Sequence, residues 1–216
     1  LWAHETTNSS TWLVADIDNG WGGSSYPGLY AGITVVGTRL YFDANDGSSG
    51  NELWAHETTN SSTWLVADID SGGGSSTPGQ YAGITVIGTR LYFDAYDGSS
   101  GVELWAHETT NSSTWLVADI KSGGSSIPGA YTGLTVVGTR LYFDADYGSS
   151  GRELWAHETT NSSTWQVADI NSGGSSIPGR YAGLTVVDTR LYFDANDGSS
   201  GYELWRMEIE HTITYN

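Results

Sequence analysis

The chain has 216 residues, sets 8 Lys and Arg against 25 Asp and Glu for a formal net charge of -17, and contains no cysteine. That composition excludes thiol catalysis, thiolate metal sites and disulfides, and the lack of a basic stripe excludes a phosphate-reading nucleic-acid partner and docking to an anionic membrane. A chain of this size buries a core without a staple, and no stretch approaches the roughly 18 apolar residues of a spanning helix, so no membrane insertion is expected. It opens on Leu1 rather than Met with no signal peptide, as a mature or trimmed product would.

The first twelve residues, Leu1 to Trp12, return at Leu53, Leu104 and Leu154, and a broken copy starts at Leu204 before departing into Arg206-Met207-Glu208. The chain therefore divides into repeats 1–52, 53–103, 104–153 and 154–203 and a partial closing segment, 204–216. Self-similarity at this period points to a ring or stack of like units rather than one conventional core.

In chain order, Leu1 to Glu5 and Thr11 to Ile17 read as two strands around the loop Asn8-Ser9-Ser10, followed by a longer linker, Asn19-Gly20-Trp21-Gly22-Gly23, that no other unit has. The second copy shows a whole unit. Thr85-Val86-Ile87 and Arg90 to Ala95 flank the hairpin signal Gly88-Thr89. Tyr96 to Gly101 is a turn, Glu103 to Glu108 alternates polar and apolar residues, and Thr114 to Ile120 follows the loop Asn111-Ser112-Ser113. Gly123 to Pro128 leads to the next unit. The Gly, Thr and Ser content opposes helix throughout.

Four short strands per unit predict an all-β fold, a single β-propeller domain over residues 1–216 in which neighbouring blades cover one another's apolar faces. Two closures are compatible with the phase of the repeat. In the preferred one, the N-terminal strands complete the sheet containing Leu184 to Val187 and Arg190 to Ala195, giving four four-stranded blades. In the other, the Leu204 segment, with an edge strand at Thr212 to Tyr215, contributes to a fifth blade, and some blades are incomplete.

Leu91-Tyr92-Phe93-Asp94-Ala95-Tyr96-Asp97-Gly98 with Glu103-Leu104-Trp105, and Leu40 to Gly47 with Glu52-Leu53-Trp54, resemble the bacterial and marine β-propeller repeats known by a Glu-Leu-Trp signature. Val66 to Ile69 and the Ser75 to Pro78 linker also fit, so the resemblance covers nearly the whole chain up to Trp205. It implies a propeller and no common activity. Where that family has Ser-Asp-Gly-Thr after the signature, this chain has His56-Glu57-Thr58-Thr59, so a site there would be peculiar to this protein.

Several residue sets are candidates for ligand contact. Trp2/Trp12, Trp54/Trp64, Trp105/Trp115 and Trp155/Trp165 recur in every unit; one of each pair is expected to fill space between blades and the other to line a shallow sugar-stacking pocket. Tyr30, Tyr81, Tyr131 and Tyr181 follow a Pro-Gly turn near such pockets. Trp21, alone in a glycine loop, has little packing reason to be aromatic and is a candidate for contact with a ligand or another subunit. His4, His56, His107 and His157 occupy one repeated position, too dispersed for a shared metal, and are expected at the surface making hydrogen bonds. The acidic turns raise calcium as a possible ligand at Asp43, Asn45, Asp46, Asp94, Asp97, Asp144, Asp146, Asp194, Asn196 and Asp197, although the loop spacing of an EF-hand is absent and no cofactor is required. Asn8, Asn60, Asn111 and Asn161 begin Asn-Ser-Ser, a glycosylation acceptor that fits a secreted, extracellular protein. The freely varying sets Leu29/Gln80/Ala130/Arg180 and Asn51/Val102/Arg152/Tyr202 are expected to be exposed.

The leading expectation is a multivalent, lectin-like carbohydrate-binding protein whose partners are glycans or glycoproteins. The second is a structural, adhesive or self-assembling scaffold, with a homo-oligomer possible. A glycoside hydrolase comes third, since no preorganised catalytic constellation is visible and a non-enzyme is expected.

Overall fold

The computed structural model describes residues 1–209, and among these the regular elements are all antiparallel strands. They fall into five sheets. A two-stranded sheet holds β1 (Trp2–Glu5) and β2 (Ser10–Leu13). The second sheet is formed by β3 (Ile33–Val36), β4 (Arg39–Asn45), β5 (Asn51–Glu57) and β6 (Ser62–Ala67), the third by β7 (Thr85–Ile87), β8 (Arg90–Tyr96), β9 (Val102–Glu108) and β10 (Ser113–Ala118). The fourth sheet consists of β11 (Thr135–Val137), β12 (Arg140–Asp146), β13 (Arg152–Glu158) and β14 (Ser163–Ala168). The last has three strands, β15 (Thr185–Val187), β16 (Arg190–Asn196) and β17 (Tyr202–Glu208).

The preferred four-blade closure is therefore corrected. β1 and β2 pair only with each other, and β17 takes the third place beside β16 with Phe193 opposite Trp205. The physical reason is locality: β16 and β17 are joined by a short turn, whereas recruiting β1 would close a loop of nearly the whole chain. Among the described residues five units form, the first sheet with two strands and the last with three. The expected strand at Thr212 to Tyr215 lies outside the described residues.

Alternation along each strand gives a full sheet two apolar faces. In β7–β10 the forward face carries Tyr92, Leu104, Ala106, Trp115 and Val117 and packs on Leu141, Phe143, Ala145 and Trp155 of the following sheet. Tyr41, Leu53, Ala55, Trp64 and Val66 meet Leu91, Phe93, Ala95 and Trp105 in the same way, and Tyr142, Leu154 and Ala156 meet Leu191, Phe193 and Ala195. Fully burying each Leu or Phe is worth roughly 1.5–3 kcal/mol, so these stacked faces, not the sheets individually, hold the fold. The arrangement is propeller-like: repeated blade-like sheets, each covered by the next.

The Glu-Leu-Trp signature acquires a reason here. Leu53, Leu104 and Leu154 are fully buried. The glutamate latches the linker: Glu103 accepts from Ile120 N at 2.9 Å, Ser126 N at 2.8 Å and Ser126 Oγ at 2.6 Å. Glu52 holds Ile69 and Ser76, and Glu153 holds Ile170 and Ser176, through the same three bonds. Hairpin turns need a positive φ at their first loop residue, supplied by Gly37, Gly88 and Gly138 near +60°; in the fourth unit Asp188 adopts φ 54° in their place.

Candidate functional site

The repeated tryptophans and histidines are largely consumed by packing. His56, His107 and His157 are buried, which corrects the surface position expected for them; only His4 is exposed. Each ring bonds a threonine of the neighbouring strand through Nδ1, as His107 does to Thr114 Oγ1 at 2.8 Å, and those of His107 and His157 also pack on a tyrosine of the preceding sheet. Ring centroids are 5.8 Å apart for Tyr41 and His107 and 5.5 Å for Tyr92 and His157. Burial pushes the His107 and His157 imidazoles down to about 4. Alternation along a strand puts each His and the adjacent Glu on opposite faces but does not fix which face the next sheet covers.

Trp105 and Trp155 sit between sheets, and Trp54 is half-buried. Trp64, Trp115 and Trp165 are half-buried under the guanidinium groups of Arg39, Arg90 and Arg140, 5.8, 5.8 and 5.9 Å from the ring centroids. Trp2 and Trp12, in the two-stranded sheet, are 67% and 47% exposed, and Trp21 stands fully out of its linker.

The acidic residues are engaged locally. Asp46 accepts from Ser48 N and Ser49 N, Asp97 from Ser99 N and Ser100 N, and Asp197 from Ser199 N and Ser200 N, bonds that hold the Asp197 carboxyl down near 2. Asn45 and Asn196 cap Gly47 N and Gly198 N, and Asp146 pairs with Lys121 at 2.8 Å. Among the described residues no group of three or more His, Asp or Glu side chains is arranged to hold a metal ion.

Asp43, Asp94, Asp144 and Asp194 do something the sequence did not announce: they anchor the loops that carry the repeated tyrosines. Asp94 accepts from Tyr81 N at 3.2 Å and Ala82 N at 2.8 Å, while its own carbonyl receives Gly79 N at 2.7 Å. Asp43 holds Tyr30 and Ala31, Asp144 holds Tyr131 and Thr132, and Asp194 holds Tyr181 and Ala182. The four loops are contiguous. A Cβ on Gly79 would lie 2.9 Å from Ala31 Cβ of the preceding loop, one on Gly129 2.9 Å from Ala82 Cβ, and one on Gly179 2.6 Å from Thr132 Cγ2. Glycine is therefore required at these positions by close approach as well as by positive φ. The loops set out Tyr30, Tyr81, Tyr131 and Tyr181 in a row, with 41%, 43%, 46% and 72% of their surface exposed.

The two varying positions flank this row, and the second is not freely exposed as expected: Asn51 is buried and Val102, Arg152 and Tyr202 are half-buried. In two of the units the residue there is the side-chain partner of the anchoring aspartate. Asn51 Nδ2 donates to Asp43 at 3.2 Å, and Arg152 forms an ion pair with Asp144 while its guanidinium stacks over Tyr131 at 5.7 Å. In the fourth unit Arg180 lies over both Tyr181 and Tyr202. Val102 offers Asp94 nothing polar, and burial pushes the Asp94 carboxyl up to about 6. Val102→Arg, importing the residue of the third unit, is expected to lower that value and to stabilise the fold at pH 7 by about 1–3 kcal/mol. Urea midpoints at pH 7 and pH 5 check this; the gain should shrink at pH 5, where Asp94 is mostly protonated and needs no cation.

A second feature is a cavity of about 450 Å³ between the two-stranded sheet and the next, lined by Leu1, Ala3, Trp12, Leu40 and His56 among others. It lies where a full sheet would bring in a tyrosine such as Tyr41, so His56 faces the cavity in place of a ring. A shallower depression of about 480 Å³ adjoins the first linker, between Trp2, Leu13 and Tyr26.

No protein-family model and no curated protein matches the chain. Solved structures do. Puromycin hydrolase is matched at a TM-score of 0.55 and 14% identity, over 82% of this chain and 27% of that one, and a mutant of it complexed with PGG at 0.53 and 14%, over the same shares. TolB from Acinetobacter baumannii is matched at 0.44 and 12%, over 80% of this chain and 38% of that one. The chain thus spans about a quarter of the length of puromycin hydrolase. At this identity the likeness concerns the fold alone, an all-β arrangement of repeated sheets.

Proposed function

We propose that this protein binds carbohydrate multivalently, through the row of loops carrying Tyr30, Tyr81, Tyr131 and Tyr181 rather than through the repeated tryptophans. The observation that carries the reading is the contiguity of four exposed tyrosines on loops that touch one another. Aromatic faces stack on sugar rings, and polar neighbours that differ from unit to unit, Asn51 and Arg152 among them, suit a ligand with several unlike hydroxyl groups. The net charge of -17 favours a neutral glycan over an acidic one. Weak equivalent subsites gain from acting together on one extended or clustered glycan. The reading is of a binding protein, not an enzyme, because the repeated carboxylates are bonded to backbone N–H groups of their own loops. A secreted location suits such a ligand and the exposed Asn-Ser-Ser loops.

A glycan-array screen of the purified chain, run with calcium and again with a chelator, tests the proposal. Hits are expected in both conditions, and Tyr81→Ala or Tyr131→Ala should each weaken binding about tenfold, the equivalent of roughly 1.4 kcal/mol. Unchanged binding in both variants would move the site elsewhere. A blank array would favour the scaffold reading, which the consumption of the Trp and His sets by packing supports.

A further inference from the structure

We infer that the tyrosine row reads one extended hetero-oligosaccharide in a single register, the residues framing each tyrosine acting as specificity determinants that differ from unit to unit. This rests on the carbohydrate reading above and narrows it, from a ligand of like sugars to one of unlike sugars.

The repeat supplies its own comparison. At the end of the sheets that holds the Asn-Ser-Ser loops, the second and third units are the same letter for letter. Thr89-Arg90 and His107 to Thr114 return as Thr139-Arg140 and His157 to Thr164, with Thr109 N and Thr159 N donating to the carbonyls of Thr89 and Thr139. Changes of chemical type between these units fall at the opposite end, where Tyr96 N donates to Ser76 O and Asp146 N to Ser126 O. Leu116 and Gln166, in the outer strands, are the exception.

Three of the changing positions meet at the tyrosine. Thr77 Oγ1 donates to Gln80 Oε1 at 3.1 Å, and Gln80 directly precedes Tyr81. Arg152 lies 5.7 Å over Tyr131 and donates to the carbonyl of Ile127 at 2.9 Å. Val102 holds that place in the second unit. Tyr81 is therefore framed by Thr77, Gln80 and Val102, and Tyr131 by Ile127, Ala130 and Arg152. The same ring on the same backbone stands first beside an amide and a hydroxyl, then beside apolar groups and a guanidinium.

One of these positions keeps its side chain against the preference of the backbone. Tyr26, Thr77, Ile127 and Ile177 adopt φ of 44°, 45°, 47° and 45°, where a β-branched or bulky residue is an outlier. Each also precedes proline, which pushes its neighbour toward extended backbone. The other positive-φ positions of the same loops, Gly79 and Gly83 or Gly129 and Gly133, are glycine. Strain of this kind persists where surrounding bonds over-determine it, and it clusters at ligand-contacting sites. The bonds here run from Thr77 N to Asn51 O at 3.1 Å and from Ile127 N to Val102 O at 3.0 Å. They also stitch each framed tyrosine to the one before it, so the row is continuous. A continuous row of unlike subsites discriminates between orders and directions of a ligand, whereas like subsites would accept any register.

Titration calorimetry of the full chain with the best glycan-array hit tests this. One ligand per chain is expected, and that ligand should contain unlike sugars. Thr77→Ile, Gln80→Ala and Val102→Arg together convert the second subsite to the third. The circular dichroism spectrum should not change, since those residues already occupy the same backbone in the third unit, yet binding of the hit should weaken about tenfold and the array order should change. Gln80→Ala alone, at an exposed position, carries the test if the triple variant fails to fold, with a loss of about threefold. Ile127→Gly separates recognition from folding: it relieves the positive φ, so the melting temperature should not fall while binding weakens about threefold. Four ligands per chain, or a subsite swap that leaves the array order unchanged, overturns the inference and leaves carbohydrate binding standing. So does an Ile127→Gly chain that binds like the wild type. A blank array removes both.

Discussion

Glu103→Ala is expected to cost about 3–5 kcal/mol of folding stability, the range for removing one partner of a buried charged network. The carboxylate receives two backbone N–H groups and one hydroxyl, all drawn from the linker between the third and fourth sheets. Alanine leaves those donors buried without an acceptor, and each hydrogen bond to a charged group is worth about 1.5–3 kcal/mol. The linker then loses what holds Ile120 in the core shared with Leu134 and Phe143. Glu103→Gln keeps one acceptor oxygen and should cost less. Urea unfolding of both variants checks the order, and Glu52→Ala and Glu153→Ala should behave alike because their three bonds are the same. Equal stability of wild type and Glu103→Ala would show that the latch is dispensable.

The second large effect concerns acid. His107 and His157 are buried neutral, and burial, the dominant cause, lowers both to about 4 from an ordinary value of 6.5. The folded-state value is depressed, so each contributes stability that is fully present above pH 6.5 and lost as the pH falls toward 4, about 3 kcal/mol apiece. Asp94 acts in the opposite sense. Its folded-state value is raised to about 6, so its contribution is complete below the ordinary carboxylate value of 3.8 and is lost as the pH rises through 6. Burial raises Glu52, Glu103 and Glu153 in the same direction as Asp94. Replacing both His107 and His157 by glutamine should therefore convert a fold that acid weakens into one whose stability holds or rises between pH 6.5 and 4. Denaturant titrations across that window measure the difference, and the imidazole proton resonances of the wild type give an independent readout. Titration of His107 and His157 near 6.5 would contradict the burial argument.

Much of the fold was legible in the chain because it is written repeatedly. The alternation in Arg90 to Ala95 and Glu103 to Glu108, the Gly88-Thr89 turn and the absence of helix-favouring stretches are local properties, and each became the expected strand or hairpin. The site was less legible. Invariance among copies drew attention to Trp and His, yet invariance is what a face packed on its neighbour also demands. Variation at Asn51, Val102, Arg152 and Tyr202 suggested exposure, although none of the four is exposed and two of them, Asn51 and Arg152, are the partners of buried aspartates. A signal was present: two of the positions that change from copy to copy flank an unchanging Tyr and Asp.

The sequence by itself determined the repeat, the strand order within a unit and the all-β class, since these depend on periodicity, turn chemistry and propensity over a few residues. Only the tertiary structure decided that five sheets form rather than four, that β17 and not β1 pairs with β16, that the signature glutamate clasps the linker, and that four tyrosine loops stand side by side. Those outcomes turn on which face meets which neighbour and on the low cost of closing a short loop over a long one, and neither is a property of any single segment.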